Sequence, residues 1–216
     1  MGDRGKFIVI EGIEGASKGS CIQFLKENLS GYRIEFTREP GGTRIGEKIR
    51  KLLLSDGEDG LKYLISDEKS LTAVEICLFC CARYPHCKRI RRYQARGINV
   101  VSDRFDSSTL AYQIMGRRRG DLLWFFWALN EIAVDGIEPD LVVLLDLEPK
   151  IGLSRRKSAG GELSRFDKEE LEFHNRVRRS FLDFKGSNWV VVDASKPEAE
   201  VQKEVLGIVK RCMEGK

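Results

Sequence analysis

Five short aliphatic runs recur along this chain, separated by amphipathic stretches, and that alternation leaves few folds open. The first, Phe7-Ile8-Val9-Ile10, runs into glycines and is followed by a stretch carrying Ile22, Leu25 and Leu29, which reads as strand, tight loop, helix. Residues 34–37, 98–102, 141–147 and 189–192 predict four further strands, with helical patterns between them. Several runs are almost continuously aliphatic or β-branched, as strands covered on both faces must be. The expected class is therefore α/β, a parallel five-stranded sheet flanked by helices. No internal repeat or Pro/Ser-rich linker divides the 216 residues, so one domain over 1–216 is expected.

Composition narrows the function classes. With 42% hydrophobic and 32% charged residues the chain reads as an ordinary globular protein. Its net charge of +4, spread over 37 basic and 33 acidic residues, lacks the concentrated basic face of a nucleic-acid binder. Without an apolar span of membrane length or a cleavage pattern near the start, the expected location is cytoplasmic, with neither nucleic acid nor membrane as partner. Six cysteines are expected to be reduced. Cys77, Cys80, Cys81 and Cys87 lie in an apolar helical segment without paired CxxC knuckles or a histidine pair, so they read as buried small hydrophobes and not metal ligands. The basic run at 88–92 with Arg96 reads as a solvated helix face. The run Arg155-Arg156-Lys157, followed by Gly160-Gly161 and Arg165, reads as a basic lid over about 155–166.

Between the first strand and first helix lies Gly12-Ile13-Glu14-Gly15-Ala16-Ser17-Lys18-Gly19-Ser20, where backbone amides and a helix N-terminus can cradle phosphates. The match to G-x-x-x-x-G-K-[ST] is partial: Ser17 replaces the second glycine, and Gly19 displaces the hydroxyl that should follow the lysine. A glycine-rich turn without a ligand is the competing reading of this segment alone. The run Val101-Ser102-Asp103-Arg104-Phe105-Asp106-Ser107-Ser108-Thr109-Leu110-Ala111-Tyr112-Gln113 after the third strand is far more specific. Its Asp-Arg pair, aromatic residue, serine and Ala-Tyr pair resemble the thymidylate kinase signature. Thr37-Arg38-Glu39-Pro40-Gly41-Gly42-Thr43 resembles that family's loop after the second strand. Glu75, Phe79 and Arg83, four residues apart on one helix face, resemble its base-holding helix. The matches follow the family's order over nearly the whole chain.

The resemblance implies a P-loop nucleoside-monophosphate kinase fold and transfer of a phosphoryl group from ATP, with Mg2+, to dTMP. It implies that Gly12, Gly15, Ala16, Ser17, Lys18, Gly19 and Ser20 surround ATP, with Lys18 bridging donor phosphates. Arg104 would hold the acceptor phosphate, and the lid arginines Arg155, Arg156 and Arg165 would close over the transferring group, as in bacterial forms whose phosphate loop carries no arginine. Asp103 and Ser20 are the candidates for acting through magnesium. Glu14, expected to be exposed in its loop, would meet the sugar hydroxyl. Arg38, Phe79, Arg83, Thr109, Tyr112 and Gln113 would complete the dTMP site. Ala82 and Pro85 depart from the family pattern, and Pro85 predicts a kink just after Arg83 that reshapes the base pocket. Cys77, Cys80 and Cys81 fall roughly opposite the Phe79 face and are expected to line the core. A homodimer is implied as well, supported by the crowded apolar stretch at 122–129. Two alternatives remain: another nucleoside or nucleotide kinase on this fold, and a nucleotide-binding homologue with weakened turnover.

Overall fold

The computed structural model describes residues 4–55, 58, 60–158, 160 and 166–215. Five strands, β1 (Phe7–Gly12), β2 (Ile34–Arg38), β3 (Asn99–Asp103), β4 (Leu141–Asp146) and β5 (Trp189–Asp193), form one parallel sheet in the order β2-β3-β1-β4-β5. In β1 every residue is buried, so Ile8 and Ile10 face one layer of helices and Phe7 and Val9 the other. Burial of an aliphatic side chain of this size contributes about 1.5–3 kcal/mol, which makes the central strand the anchor of the sheet.

From β1 the chain crosses to β2 and β3 on one side, and later to β4 and β5 on the other. The strand order thus reverses beside β1, and the crevice at the carboxyl ends of β1 and β3 is where ligands bind in open sheets of this kind. Helix α1 (Lys18–Asn28) leaves β1, and α2 (Arg44–Leu54) follows β2 behind the Thr43 N-cap, whose hydroxyl accepts from the Gly46 amide at 3.0 Å. After the short α3 (Leu61–Leu64) comes the long α4 (Glu68–Ala95). Beyond β3, α5 (Asp106–Thr109) passes into a π-helical segment (Leu110–Gly116). The remaining helices are α6 (Leu123–Val134), α7 (Pro149–Ser158), α8 (Leu171–Asp183) and α9 (Glu198–Met213).

One sequence expectation fails in α4, that Cys77, Cys80 and Cys81 all line the core. The helix continues from Glu68 to Ala95 with Pro85 inside it, so Pro85 does not end it and Tyr84 is helical. Packing against α2 and α6 holds the helix where local propensity alone would break it. Cys80 and Cys87 are buried as expected, but Cys77 is only partly covered and Cys81 is exposed. With the Glu75 and Arg83 face itself turned inward, the opposite side of this helix reaches solvent. The basic run at 88–92 is more engaged than a solvated face: Arg89 pairs with Glu35, and Lys88 and Arg91 pair with Asp135. No helix of the described residues is long and apolar enough to cross a membrane.

Candidate active site

The turn between β1 and α1 bends through left-handed backbone at its irregular position. Ser17 lies in the left-handed region, φ 61° and ψ 27°, where a glycine would normally be required. Gly15, at φ +74°, cannot be replaced for another reason: a Cβ there would lie 2.1 Å from the carbonyl oxygen of Gly152. That close approach seats the loop directly on α7. A Cβ at Gly19 meets nothing within 4 Å, so this position is open. The Ser20 hydroxyl donates to the Ser17 carbonyl at 3.0 Å.

Lys18 folds over the loop, its Nζ donating to the carbonyls of Gly12 and Ile13 at 2.8 Å each. Burial, together with the nearby Arg104 charge, brings its pKa down to about 8, although Glu14, Asp103 and Glu11 oppose the shift. An anionic ligand in the loop would supply the missing counter-charge.

Arg104 stands at the carboxyl end of β3 with φ 69°. Its guanidinium donates to Gly12 O at 3.1 Å, Ser108 Oγ at 3.0 Å, Glu14 Oε1 at 3.1 Å and the Tyr112 hydroxyl at 3.2 Å. Burial disfavours its charge, but Tyr112, Glu14, Glu11 and Asp103 outweigh that and raise its pKa. Glu14 departs from expectation. Its side chain is only 12% exposed, because Tyr112 donates to it at 2.7 and 2.8 Å and His174 on α8 lies 3.5 Å away. Burial would raise its pKa, yet His174, Arg104, Lys18 and Tyr112 hold it down at about 2.

Asp103 Oδ1 is buried and has no hydrogen-bond partner among the described residues. A buried carboxylate oxygen left in this condition fits a hard cation or its water shell.

One cleft extends from these groups. Arg104, Arg50 and Glu14 lie along its walls, and Phe79, Tyr112, Phe166, Thr109, Arg83 and Glu39 line it as well. Arg83 is fully buried, with Nε donating to Glu39 at 2.9 Å, Nη1 to Asn130 at 2.8 Å and Nη2 to Thr109 at 2.8 Å. Those three bonds leave two of its five N–H groups over.

Other expected site residues sit elsewhere. Gln113 is fully buried away from the cleft and donates to Glu75 at 3.1 Å. Arg38 forms a surface pair with Glu47 at 2.7 Å. Arg155 donates to the carbonyls of Ala194 and Ser195, after β5, at 2.8 and 3.3 Å. Arg156 grips Asp167 with both Nε and Nη2, at 3.1 and 3.2 Å. Arg165 lies outside the described residues, as do 159 and 161–164 of the lid expected over about 155–166; the base of that segment is the end of α7.

Sequence reasoning assigned no role to Arg50 or His174. Arg50 follows the Thr43 cap on α2, and its Nη1 donates to Pro40 O at 3.0 Å. Burial and the nearby Arg38 and Arg104 charges disfavour its own charge, and only the folded chain shows that proximity. Spacing alone could not direct His174 at Glu14.

The thymidylate kinase family model matches residues 10–205. A thymidylate kinase of Carboxydothermus hydrogenoformans is 41% identical over 210 residues, 95% of this chain and 97% of that protein. Thymidylate kinases of Francisella tularensis subsp. tularensis and subsp. novicida are each 40% identical over 209 residues, 94% of this chain and 95% of theirs. With the phosphate loop, the Asp103-Arg104 turn and the cleft joined at one end of a five-stranded parallel sheet, this chain belongs to the thymidylate kinase family.

Proposed function

We propose that this chain transfers the terminal phosphoryl group of ATP to dTMP, giving dTDP and ADP. The observation that carries the reading is the convergence of Lys18 and Arg104 on the same loop carbonyl, that of Gly12. Donor phosphates would sit on the loop amides and Lys18, and the acceptor phosphate would sit against Arg104 and Arg50. Ion and substrate charges then meet in a buried setting, where fixed cations act more strongly than in water.

The acceptor is a phosphate oxygen already ionised at neutral pH, so no general base is required, and the protein's task is alignment, charge neutralisation and exclusion of water. Glu14, held ionised by Arg104, Tyr112 and His174, is suited to accept from the sugar hydroxyl. Phe79 offers a ring face for the base, and the spare N–H groups of Arg83 a donor for a base carbonyl. Asp103 and Ser20 would hold Mg2+ through its water shell or directly. Bound with ATP, the ion neutralises charge on the phosphate oxygens. Arg155 and Arg156 would have to leave Ala194 and Asp167 to reach the transferring group, which makes them closing groups and not resident ones.

The competing reading, a binding protein with a crippled loop, loses ground because Ser17 takes a left-handed conformation of the kind glycine ordinarily supplies. Phe79→Ala tests the acceptor site: dTMP affinity should fall on the order of tenfold with ATP affinity unchanged by calorimetry, and an equal loss for ATP would contradict the placement. A homodimer through α6 completes the proposal, since Trp124 and Trp127 are 72% and 47% exposed on that helix. Sedimentation at micromolar concentration should give a species of twice the 24.6 kDa chain mass, and a monomer alone would refute it.

A further inference from the structure

The carboxylate of Glu11 takes no part in the chemistry described so far. It is fully buried near the end of β1. A charged side chain is costly there unless its oxygens are satisfied, and among the described residues one segment satisfies them. Oε1 accepts from the Phe105 amide at 2.9 Å and the Ser107 hydroxyl at 2.7 Å, and Oε2 accepts from the Ser108 hydroxyl at 2.7 Å.

All three donors belong to the turn that begins at Arg104. That residue carries φ 69°, a conformation that a non-glycine residue keeps only where its surroundings enforce it. Ser108 also links the two groups directly. Because it spends its single proton on Glu11, it can offer Arg104 Nη1 only a lone pair, and it accepts from that nitrogen at 3.0 Å. The guanidinium is thereby pinned 4.0 Å from Glu11 Oε2 and turned toward the phosphate loop.

We propose that Glu11 is a positioning residue for the acceptor phosphate, acting through Ser108 and the strained Arg104 turn. This rests on the reading of Arg104 as the group that holds that phosphate. Were Glu11 only a cap for α5, its loss would weaken the fold and both nucleotides together. A positioning role falls on dTMP and vanishes once Arg104 is gone.

The test is a double-mutant cycle of Glu11→Gln and Arg104→Ala, with dTMP and ATP affinities by calorimetry and steady-state KM and kcat. Glu11→Gln should raise the Kd and KM for dTMP about tenfold, leave those for ATP within about twofold, and cause no further loss of dTMP affinity in the Arg104→Ala background. An unchanged dTMP affinity, an equal loss for ATP, or a full additional loss without Arg104 would each overturn the proposal. If Arg104→Ala itself binds dTMP like the parent, the reading of Arg104 fails first and the proposal falls with it. Should Glu11→Gln not fold, Ser108→Ala removes only the linking hydroxyl. The same dTMP-selective, Arg104-dependent loss would support the proposal, and parental dTMP binding by Ser108→Ala would overturn it.

Discussion

Replacing Arg83 by alanine would separate its structural work from any contact with the base. The guanidinium, fully buried, ties Glu39 before α2, Thr109 at the end of α5 and Asn130 in α6 to the middle of α4. Burial would raise the Glu39 pKa, but Arg83 and His86 outweigh it and keep the carboxylate ionised. Removing Arg83 leaves that charge 5% exposed with His86 alone, and leaves the Asn130 and Thr109 oxygens without this donor. Breaking a buried pair on one side costs about 3–5 kcal/mol. Against a total stability of about 5–15 kcal/mol, this variant should be partly unfolded at moderate temperature. Urea unfolding would measure it, with Glu39→Gln and the double variant closing a cycle. The double variant should lose less than the sum of the singles, because glutamine needs no counter-charge. A loss below about 1 kcal/mol for Arg83→Ala, or strict additivity, would refute the reasoning. Loss of dTMP binding by Arg83→Ala must therefore be read against the folded fraction.

Glu14→Gln should make the protein less sensitive to acid. A pKa held at about 2 in the fold, against 4.5 ordinarily, stabilises by about 3 kcal/mol above pH 4.5, and that contribution fades as pH falls toward 2. Urea midpoints at pH 7, 4 and 3 should thus decline less steeply for the variant, and parallel declines would count against the Glu14 network. In the phosphate loop, Ser17→Gly should leave kcat near the parental value because the backbone is already left-handed there, relieving about 1 kcal/mol of strain that the added freedom of the unfolded chain largely offsets. Gly19→Thr, which places a hydroxyl in open space after Lys18, should raise kcat on the order of tenfold with little change in dTMP affinity. A rise from Ser17→Gly alone would invert that assignment.

The alternation of aliphatic runs made the five strands legible to within a residue or two at their ends: β1, β3 and β4 are largely buried and cannot disguise their composition, and the partly open β2 and β5 still carry β-branched and aromatic residues. The Asp103-to-Gln113 run likewise marked Arg104, Thr109 and Tyr112, all of which line the cleft. What the sequence hid depends on distant segments meeting. Glu14 looked like an exposed loop residue until α8 brought His174 over it. Arg83 looked like a base contact alone, since Glu39, Thr109 and Asn130 come from three other elements. Pro85 disfavours a helical Tyr84 on local grounds, yet α4 runs on through that position with α2 and α6 packed against it. Gln113 followed the family run faithfully, but the π-helical segment turns it onto Glu75.

The measurement that bears most directly on the function is product formation from a panel of nucleosides and nucleotides with ATP and Mg2+. The cleft's basic end, with Arg104 and Arg50 beside the phosphate loop, calls for an acceptor that already carries a phosphate. The account predicts dTDP from dTMP and no product from thymidine under the same conditions. Tight dTMP binding without dTDP, or faster phosphorylation of the unphosphorylated nucleoside, would contradict it.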